Sequence, residues 1–233
     1  MSVLLLQLAG PLQSWGSTSR FARRSTEAAP TKSGVIGLLA AALGRERSDD
    51  LDDLAAMRFG VRVDQPGTML RDFHTAHHFV TGEAAPVSER FYLADAVFVA
   101  GVEGDDTLID MLRLALHAPV FLPYLGRRSC PPSRPVYLGV RENGLVEALR
   151  REPWRAARWY QRRRRNEHQV KLEILVEAVE EDGPVDSLRD QPVSFDPLHR
   201  QYRLRGVHRP RPATVTNPAA GPAHDPIAAL GGA

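Results

Sequence analysis

Three histidines lie within five residues, at His74, His77 and His78, and clustered imidazoles raise the question of a metal site. No cysteine and no cluster of acidic residues elsewhere has obvious ligand spacing, so we predict neither a metal nor any other cofactor. The single cysteine, Cys130, lies among prolines and arginines without an identifiable base, which favours a small buried residue over a nucleophile. No spacing typical of a catalytic triad is present. The chemistry that the sequence favours is therefore binding.

Three glycine-containing segments have the residue types that hold phosphates and bases. Residues 10–16 form a predicted turn that displays an amide, a hydroxyl and the Trp15 indole. Residues 31–34 place backbone N–H groups and Lys32 at a predicted helix start, an anion-binding geometry, but without the spacing of a P-loop. Residues 124–131 combine a tyrosine, a glycine and two arginines. The alternative in each case is structural: a tryptophan at the core edge, an ordinary helix cap and a loop stiffened by prolines.

The composition is that of an ordinary globular protein. The chain has 233 residues, of which 43% are apolar and 25% charged, which disfavours a disordered or fibrous protein. A single cysteine excludes an internal disulfide framework and a multi-cysteine zinc site. No apolar run approaches the roughly 18 to 20 residues that span a bilayer. We therefore expect a cytoplasmic protein with no membrane contact.

Charge is segregated along the chain. Residues 150–171 carry nine basic residues against two acids, whereas residues 172–196 carry eight acids against one arginine. A third stretch, residues 199–211, holds five arginines and no acid. Only Lys32 and Lys171 are lysines, so nearly every positive charge is a guanidinium that can fork onto phosphate. This pattern favours a nucleic-acid or acidic-protein partner, although a solvated basic surface would look the same.

The order of predicted elements indicates an α+β fold. Alternating or continuous apolar runs predict strands at residues 3–8, 59–63, 91–100 and 136–140, and capped apolar stretches predict helices at residues 35–43 and 107–116. This βαββαβ order over residues 1–141 is the ferredoxin-like arrangement that RNA-recognition motifs use. The insertion at residues 71–90 is too long for a hairpin turn and predicts a projecting arm. Residues 142–209 are predicted to form a smaller β-rich part with an acidic loop at 180–192, and residues 210–233 a flexible tail rich in Pro, Ala and Gly.

Four segments together resemble one known family. LLLQLAGPLQSWG (residues 4–16), PTKSGVIGLLAAALG (30–44), LRDFHT (70–75) and PYLGRRSCP (123–131) look like the Cas five family of subunits in type I-E CRISPR Cascade surveillance complexes. The resemblance implies a modified RNA-recognition fold whose inserted hairpin, or thumb, is the predicted arm. It also implies a non-catalytic subunit that binds and caps the 5′ handle of CRISPR RNA for antiviral DNA targeting. The implied partners are CRISPR RNA, the backbone subunit CasC, the large subunit CasA, CasB and CasE in the same complex, and target DNA close by.

The resemblance and the three segments assign two sets of residues. The residues expected to bind RNA are Gln13, Ser14, Trp15, Gly16, Arg20, Arg24, Thr31, Lys32, Ser33, Arg71, His74, Thr75, Tyr124, Gly126, Arg127, Arg128 and Ser129. The residues expected to contact a neighbouring subunit are His77, His78, Phe79 and Arg90. The basic run at residues 162–165 and the tail are not features of the family, so neither receives a role from it.

The sequence is also compatible with two other functions. The first is RNA cleavage: the related subunit of type I-C systems is a metal-independent endoribonuclease that cuts repeat RNA. Acid–base groups for such a reaction could come from His74, His117, Tyr124 or Lys32. A structural subunit that touches only protein would use its arginines to dock on acidic partners. Protection or cleavage of RNA distinguishes the three functions.

Overall fold

The computed structural model describes residues 1–17, 23–179, 182–183 and 185–221. The strands are β1 (Ser2–Ala9), β2 (Leu12–Gln13), β3 (Arg23–Arg24), β4 (Arg58–Gln65), β5 (Thr68–His74), β6 (Ser88–Ala94), β7 (Val97–Gly104), β8 (Tyr137–Arg141), β9 (Gln169–Leu172), β10 (Ile174–Glu177), β11 (Asp186–Ser194), β12 (Gln201–His208) and β13 (Ala213–Thr216). The helices are α1 (Lys32–Leu43), α2 (Asp52–Ala56), α3 (Asp106–His117), α4 (Leu145–Arg151) and α5 (Arg158–Arg163). None of the helices in these residues is long and apolar enough to cross a membrane.

A seven-stranded antiparallel sheet in the order β11-β12-β10-β4-β7-β1-β8 forms the centre of the protein. Its inner strand β1 is a nearly continuous apolar run because both faces of the sheet are covered. Leu4, Leu6 and Leu8 point into one core, and Val3 and Leu5 into the other. The sheet therefore separates two hydrophobic layers.

Helices α1 and α3 pack on the first face. Strands β8, β1, β7 and β4 are the four predicted strands, and they lie in the order fourth, first, third and second. Helix α1 begins where the Thr31 hydroxyl accepts from the Gly34 N–H, and it ends at Gly44, whose φ of 81° is left-handed. Its apolar side chains join the core on this face of the sheet.

The second face is covered by helix α4 and by the small sheet of β9 and β13. Strand β13 lies inside residues 210–233, which were predicted to be a flexible tail. That prediction is wrong for residues 213–217, because Ala213 and Val215 are buried in the second core and Asn217 is 2% exposed. Residues 222–233 lie outside the described residues.

The predicted strand at residues 91–100 is two strands in two sheets. Asp95 has a φ of 56°, a conformation that Asp tolerates better than most residues, and the chain turns there between β6 and β7. Strand β6 pairs with β5 over residues 68–94, so the arm begins before residue 71 and ends after residue 90. Every residue of β5 is exposed.

The C-terminal strands β10, β12 and β11 extend the main sheet beside β4. Strand β11 occupies residues that were predicted to be an acidic loop, and this prediction is wrong for residues 186–192. The pairing of β11 with β12 shifts register twice, once on each side of Pro192, and β11 is the edge strand, where a proline is tolerated.

Candidate nucleic-acid interface

Two of the predicted binding segments meet at the first face of the sheet. The Ser14 N–H donates to the Leu125 carbonyl at 3.1 Å, and the Ser14 hydroxyl donates to the Phe91 carbonyl at 3.0 Å. Gly126 has a φ of 82° and lies so close to the Ser14 carbonyl that a Cβ would overlap it. The turn at residues 10–16 and the loop at residues 123–131 therefore form one wall.

The polar side chains inside this wall are buried, and their hydrogen bonds go to other groups of the protein. Gln13 is fully buried and donates through Nε2 to the carbonyls of Leu8 and Ala96 at 3.1 and 2.7 Å. Its Oε1 accepts from Trp15 Nε1 at 3.0 Å, and the Trp15 indole is fully buried as well. We therefore correct the prediction that Gln13 and Trp15 contact RNA directly: their side chains position the turn.

The start of helix α1 is also occupied by the protein itself. The Lys32 N–H donates to Asp190 Oδ2 at 2.7 Å, and Lys32 Nζ pairs with Glu177 at 2.9 Å. Arg205 completes the cluster by a bidentate pair with Asp190 at 2.8 Å. Burial lowers the pKa of Lys32, and the nearby Glu177 opposes that shift. The prediction that Lys32 binds a phosphate is wrong in this structure, because its side chain is 1% exposed and ion-paired. Thr31 and Ser33 are buried beside it.

An open groove of about 1300 Å³ lies in front of this wall. Its lining comes from residues 14–17 and 121–131 of this wall, from the glycine-containing face of α1, and from residues 195–202, which we call the far side. The Phe195 ring packs against α1 at Gly37, where it lies 3.6 Å from the position of a Cβ, an ordinary contact distance. Six arginines line the groove, namely Arg24, Arg45, Arg47, Arg127, Arg128 and Arg200.

The groove arginines differ in their ion pairs, hydrogen bonds and exposure. Arg45 pairs with Asp53 outside the groove, so its charge is neutralised. Arg127 donates to the Arg24 carbonyl at 2.9 Å and lies 4.8 Å from the Tyr92 ring centre, while its Nη1 is buried without a hydrogen bond from the described residues. In that part of the chain Arg128 is exposed and has no ion pair. Arg24, Arg47 and Arg200 are likewise exposed and form no ion pair with a described residue, so Arg128 is one of several groove cations open to an anionic ligand.

Aromatic side chains line the same groove as these cations. Phe121 is 50% exposed, and Tyr124 lies partly buried in the same wall. On the far side Phe195 and Tyr202 pack at 6.3 Å. Burial raises the pKa of Tyr202, so its phenol stays neutral at physiological pH. A groove lined by both guanidinium and aromatic groups suits the phosphates and unstacked bases of a single strand.

The sequence missed the far side of the groove. Phe195, Arg200 and Tyr202 line it, close to the end of β11 and the start of β12. Arg47, which follows α1, lines the groove as well and was not predicted either. The acid-free arginine stretch at residues 199–211 was the available signal, but it does not reveal which surface those strands reach.

The arm leaves this wall at its base. Strand β3 pairs in parallel with β6 at Glu89 and Arg90, and Arg71 pairs with Glu89 across the hairpin. His74, Thr75, His77, His78 and Phe79 are exposed along it, and Phe79 is exposed completely. Of the remaining predicted residues, Gly16, Arg24 and Ser129 are exposed at the surface, and Arg20 lies outside the described residues.

The predicted acid–base groups are held in separate environments. Lys32 is ion-paired, and His117 bonds through Nδ1 to the Arg113 carbonyl at 2.7 Å and packs 4.6 Å from Tyr137. The hydrogen bonds of the described residues join none of His74, His117, Tyr124 and Lys32 to one another. Burial raises the pKa of Cys130 and keeps its thiol protonated. Within the described ranges, no three His, Cys, Asp or Glu residues are placed to hold a metal ion.

Comparison with known proteins gives consistent matches. A family model described as CRISPR-associated protein (Cas_Cas5) matches residues 3–208. The CRISPR system Cascade subunit CasD of Escherichia coli K12 is 37% identical over 159 residues, which cover 59% of this chain and 70% of that protein. A solved structure titled CRISPR RNA-guided surveillance complex matches with a TM-score of 0.76 and 35% identity, covering 98% of this chain and 97% of the other. A crystal structure of a Cas protein matches with a TM-score of 0.69 and 37% identity, covering 94% and 99% of the two chains.

Proposed function

The chain belongs to the CRISPR-associated protein family of the Cas_Cas5 model, and from this premise we propose that it is a non-catalytic subunit of a type I-E Cascade surveillance complex. In this role it binds and caps the 5′ handle of CRISPR RNA. Strands β1, β4, β7 and β8 with helices α1 and α3 form a modified, ferredoxin-like RNA-recognition motif in this proposal. The proposal places the protein in the cytoplasm.

The groove carries the proposal. Its volume of about 1300 Å³ has room for unpaired nucleotides, and cations and aromatic rings line it. In this role Arg128, Arg24 and Arg47 contact phosphates, Tyr124 and Phe121 stack on bases, and the buried Gln13 and Trp15 keep the wall in place. Stacking of one base on an aromatic ring contributes about 1 to 3 kcal/mol.

The arm supports the second half of the proposal, which is docking. Its strand β5 is exposed throughout, and its tip carries Phe79 and Val80, which are 101% and 83% exposed. An apolar tip of this kind suits a protein neighbour. We propose that His74 and Thr75 approach the RNA while His77, His78, Phe79 and Arg90 contact the backbone subunit CasC. The large subunit CasA, CasB, CasE and the target DNA complete the assembly.

Reconstitution with labelled CRISPR RNA tests the groove. Wild-type complex is expected to protect the 5′ handle from nuclease digestion, and Arg128→Ala to weaken handle binding and to flatten its salt dependence by about 0.7 in log–log slope for one lost phosphate contact. Arg113→Ala on α3 is the matched control, because it removes the same charge from a residue that is paired with Asp110 outside the groove. Equal handle affinity in the Arg128 and Arg113 variants would remove Arg128 from the site.

A further inference from the structure

A second basic surface lies on the opposite side of the main sheet. Helix α5 follows Trp154 and Ala156, which belong to the core on the face of α4, whereas the groove is built on the face of α1. A shallow depression beside α5 is lined by Arg134, Arg158 and Trp159, among other residues. We call the surface formed by the following residues the α5 surface: Arg134, Arg158, Trp159, Arg162, Arg163 and Arg165.

The arginines of the α5 surface are uncompensated. None of the five forms an ion pair with any residue in the described ranges, and all five are exposed. Two neighbours behave differently, because Arg155 pairs with Glu152 and Arg164 with Glu167. The acids that pair with these two neighbours are thus occupied, and each of the five remaining arginines is exposed. On α5, Arg162 and Arg163 lie one helical turn from Arg158 and Trp159.

The support beneath these charges is rigid although α5 has only six residues. Gln161 is 8% exposed and donates to the carbonyls of Trp154 and Ala156 at 3.3 and 3.1 Å. Asn217 reaches across from beyond β13 and donates to the carbonyls of Gln161 and Arg164 at 3.2 and 2.9 Å. These bonds hold the helix against the core and fix which side chains point outward.

Trp159 distinguishes this surface from a merely solvated basic face. Its indole packs at 90° to the Tyr160 ring at 5.6 Å, yet the residue is 51% exposed. An exposed indole on the same short helix as unpaired arginines offers a stacking platform near groups that bind phosphate. A duplex does not present the faces of its bases, so a single strand uses both features.

We propose that the α5 surface binds a single-stranded nucleic acid segment distinct from the one in the groove. The arginines contact its phosphates, and Trp159 stacks on one of its bases. This site goes beyond the proposed handle-binding function, since it lies on the other face of the sheet and uses none of the groove residues.

Tryptophan fluorescence provides a direct test with the full chain. The chain has three tryptophans, of which Trp15 and Trp154 are buried and Trp159 is exposed. Titration with a short oligothymidylate is expected to quench the emission of Trp159, and Trp159→Phe is expected to remove this quench. An oligouridylate of equal length tells whether the sugar matters, and duplex DNA of equal length is expected to give no quench.

Charge variants separate the two surfaces. Arg162→Ala with Arg163→Ala is expected to weaken the quenching interaction at least fivefold and to lower its salt slope by about 1.4, the value for two phosphate contacts. Arg113→Ala with Arg209→Ala removes the same formal charge from residues paired with carboxylates and is expected to leave the quench intact, as is Arg128→Ala in the groove.

Four results would overturn the proposal. These are the absence of any quench by single strands, an equal quench by duplex DNA, an equal loss in both double variants, and an equal quench by polyglutamate, which would assign the surface to an acidic protein. Because handle protection is measured with Arg128→Ala and strand binding with the α5 variants, failure of one proposal leaves the other tested separately.

Discussion

Gly126→Ala tests whether the two loops that form the groove wall depend on each other. Gly126 has a φ of 82°, and a Cβ there would lie 2.7 Å from the Ser14 carbonyl carbon and closer still to its oxygen. The left-handed backbone costs an L-residue about 1 to 2 kcal/mol. The overlap is with backbone, so the wall itself must shift, which adds about 1 to 3 kcal/mol.

Gly82→Ala is the matched control for the backbone term. Gly82 has a φ of 72° with nothing within 4 Å of the position of a Cβ, so it carries the conformational cost without the overlap. At about 2 to 4 °C per kcal/mol for a chain of this size, the backbone cost alone predicts a loss in Tm of about 2 to 8 °C for Gly82→Ala. The two costs together, about 2 to 5 kcal/mol, predict a loss of about 4 to 20 °C for Gly126→Ala.

Thermal unfolding and handle binding by the two variants provide the assay. Gly126→Ala is expected to weaken RNA binding more than its loss of stability explains at a temperature where it remains folded, because Arg127 and Arg128 move with the loop. Equal Tm values for the two variants, together with wild-type RNA affinity of Gly126→Ala, would refute the argument that Gly126 joins the two loops.

Three further predictions concern the buried charges, and urea denaturation measures each. Glu177→Gln leaves the buried ammonium of Lys32 without its carboxylate and is expected to lower the free energy of unfolding by about 2 to 4 kcal/mol; a loss below about 1 kcal/mol would show that the pair matters little. Burial holds the pKa of Lys32 in the folded chain below its ordinary value of 10.5. At a pH between the lowered pKa and 10.5, Lys32 is therefore protonated in the unfolded chain and neutral in the folded chain. The stability of the wild type should rise with pH over this interval relative to Lys32→Met. Parallel pH profiles would contradict that sign. Asp64→Asn leaves the fully buried Arg62 guanidinium with carbonyl partners alone and is expected to lower the free energy of unfolding by about 3 to 5 kcal/mol. The double variant Arg62→Met with Asp64→Leu removes both charges and should recover most of this loss. A double variant as unstable as Asp64→Asn would argue against an uncompensated charge as the cause.

The sequence predicted elements whose causes are local. Strand β1 is an unbroken apolar run, and α1 has a threonine cap, apolar residues throughout and a glycine stop, so each can be found without knowing its neighbours. The four family segments are equally local, and the family match confirms the resemblance drawn from them. Strand β11 was not predicted, because its Asp and Pro residues favour a turn. Its pairing partner, β12, lies further along the chain.

The role of Lys32 could not be predicted for the same reason. A lysine at a helix start predicts an anion site, and two anions do lie there. They are Glu177 and Asp190 of the chain itself, 145 and 158 residues away. No local pattern shows that a distant acidic segment returns to this helix. The groove wall, in contrast, was predicted in part, because the residue types of the turn and of the arginine loop indicated binding before their contact was known.

The most direct test of the central claim is to incubate the purified wild-type chain with labelled cognate repeat RNA in EDTA and then to assemble it with the other Cascade subunits. A non-catalytic handle-binding subunit leaves the RNA intact and protects its 5′ handle in the assembled complex. A discrete cleavage product from this chain alone would instead identify a metal-independent ribonuclease. RNA that stays intact but whose 5′ handle is not protected in the complex would indicate a subunit that contacts only protein.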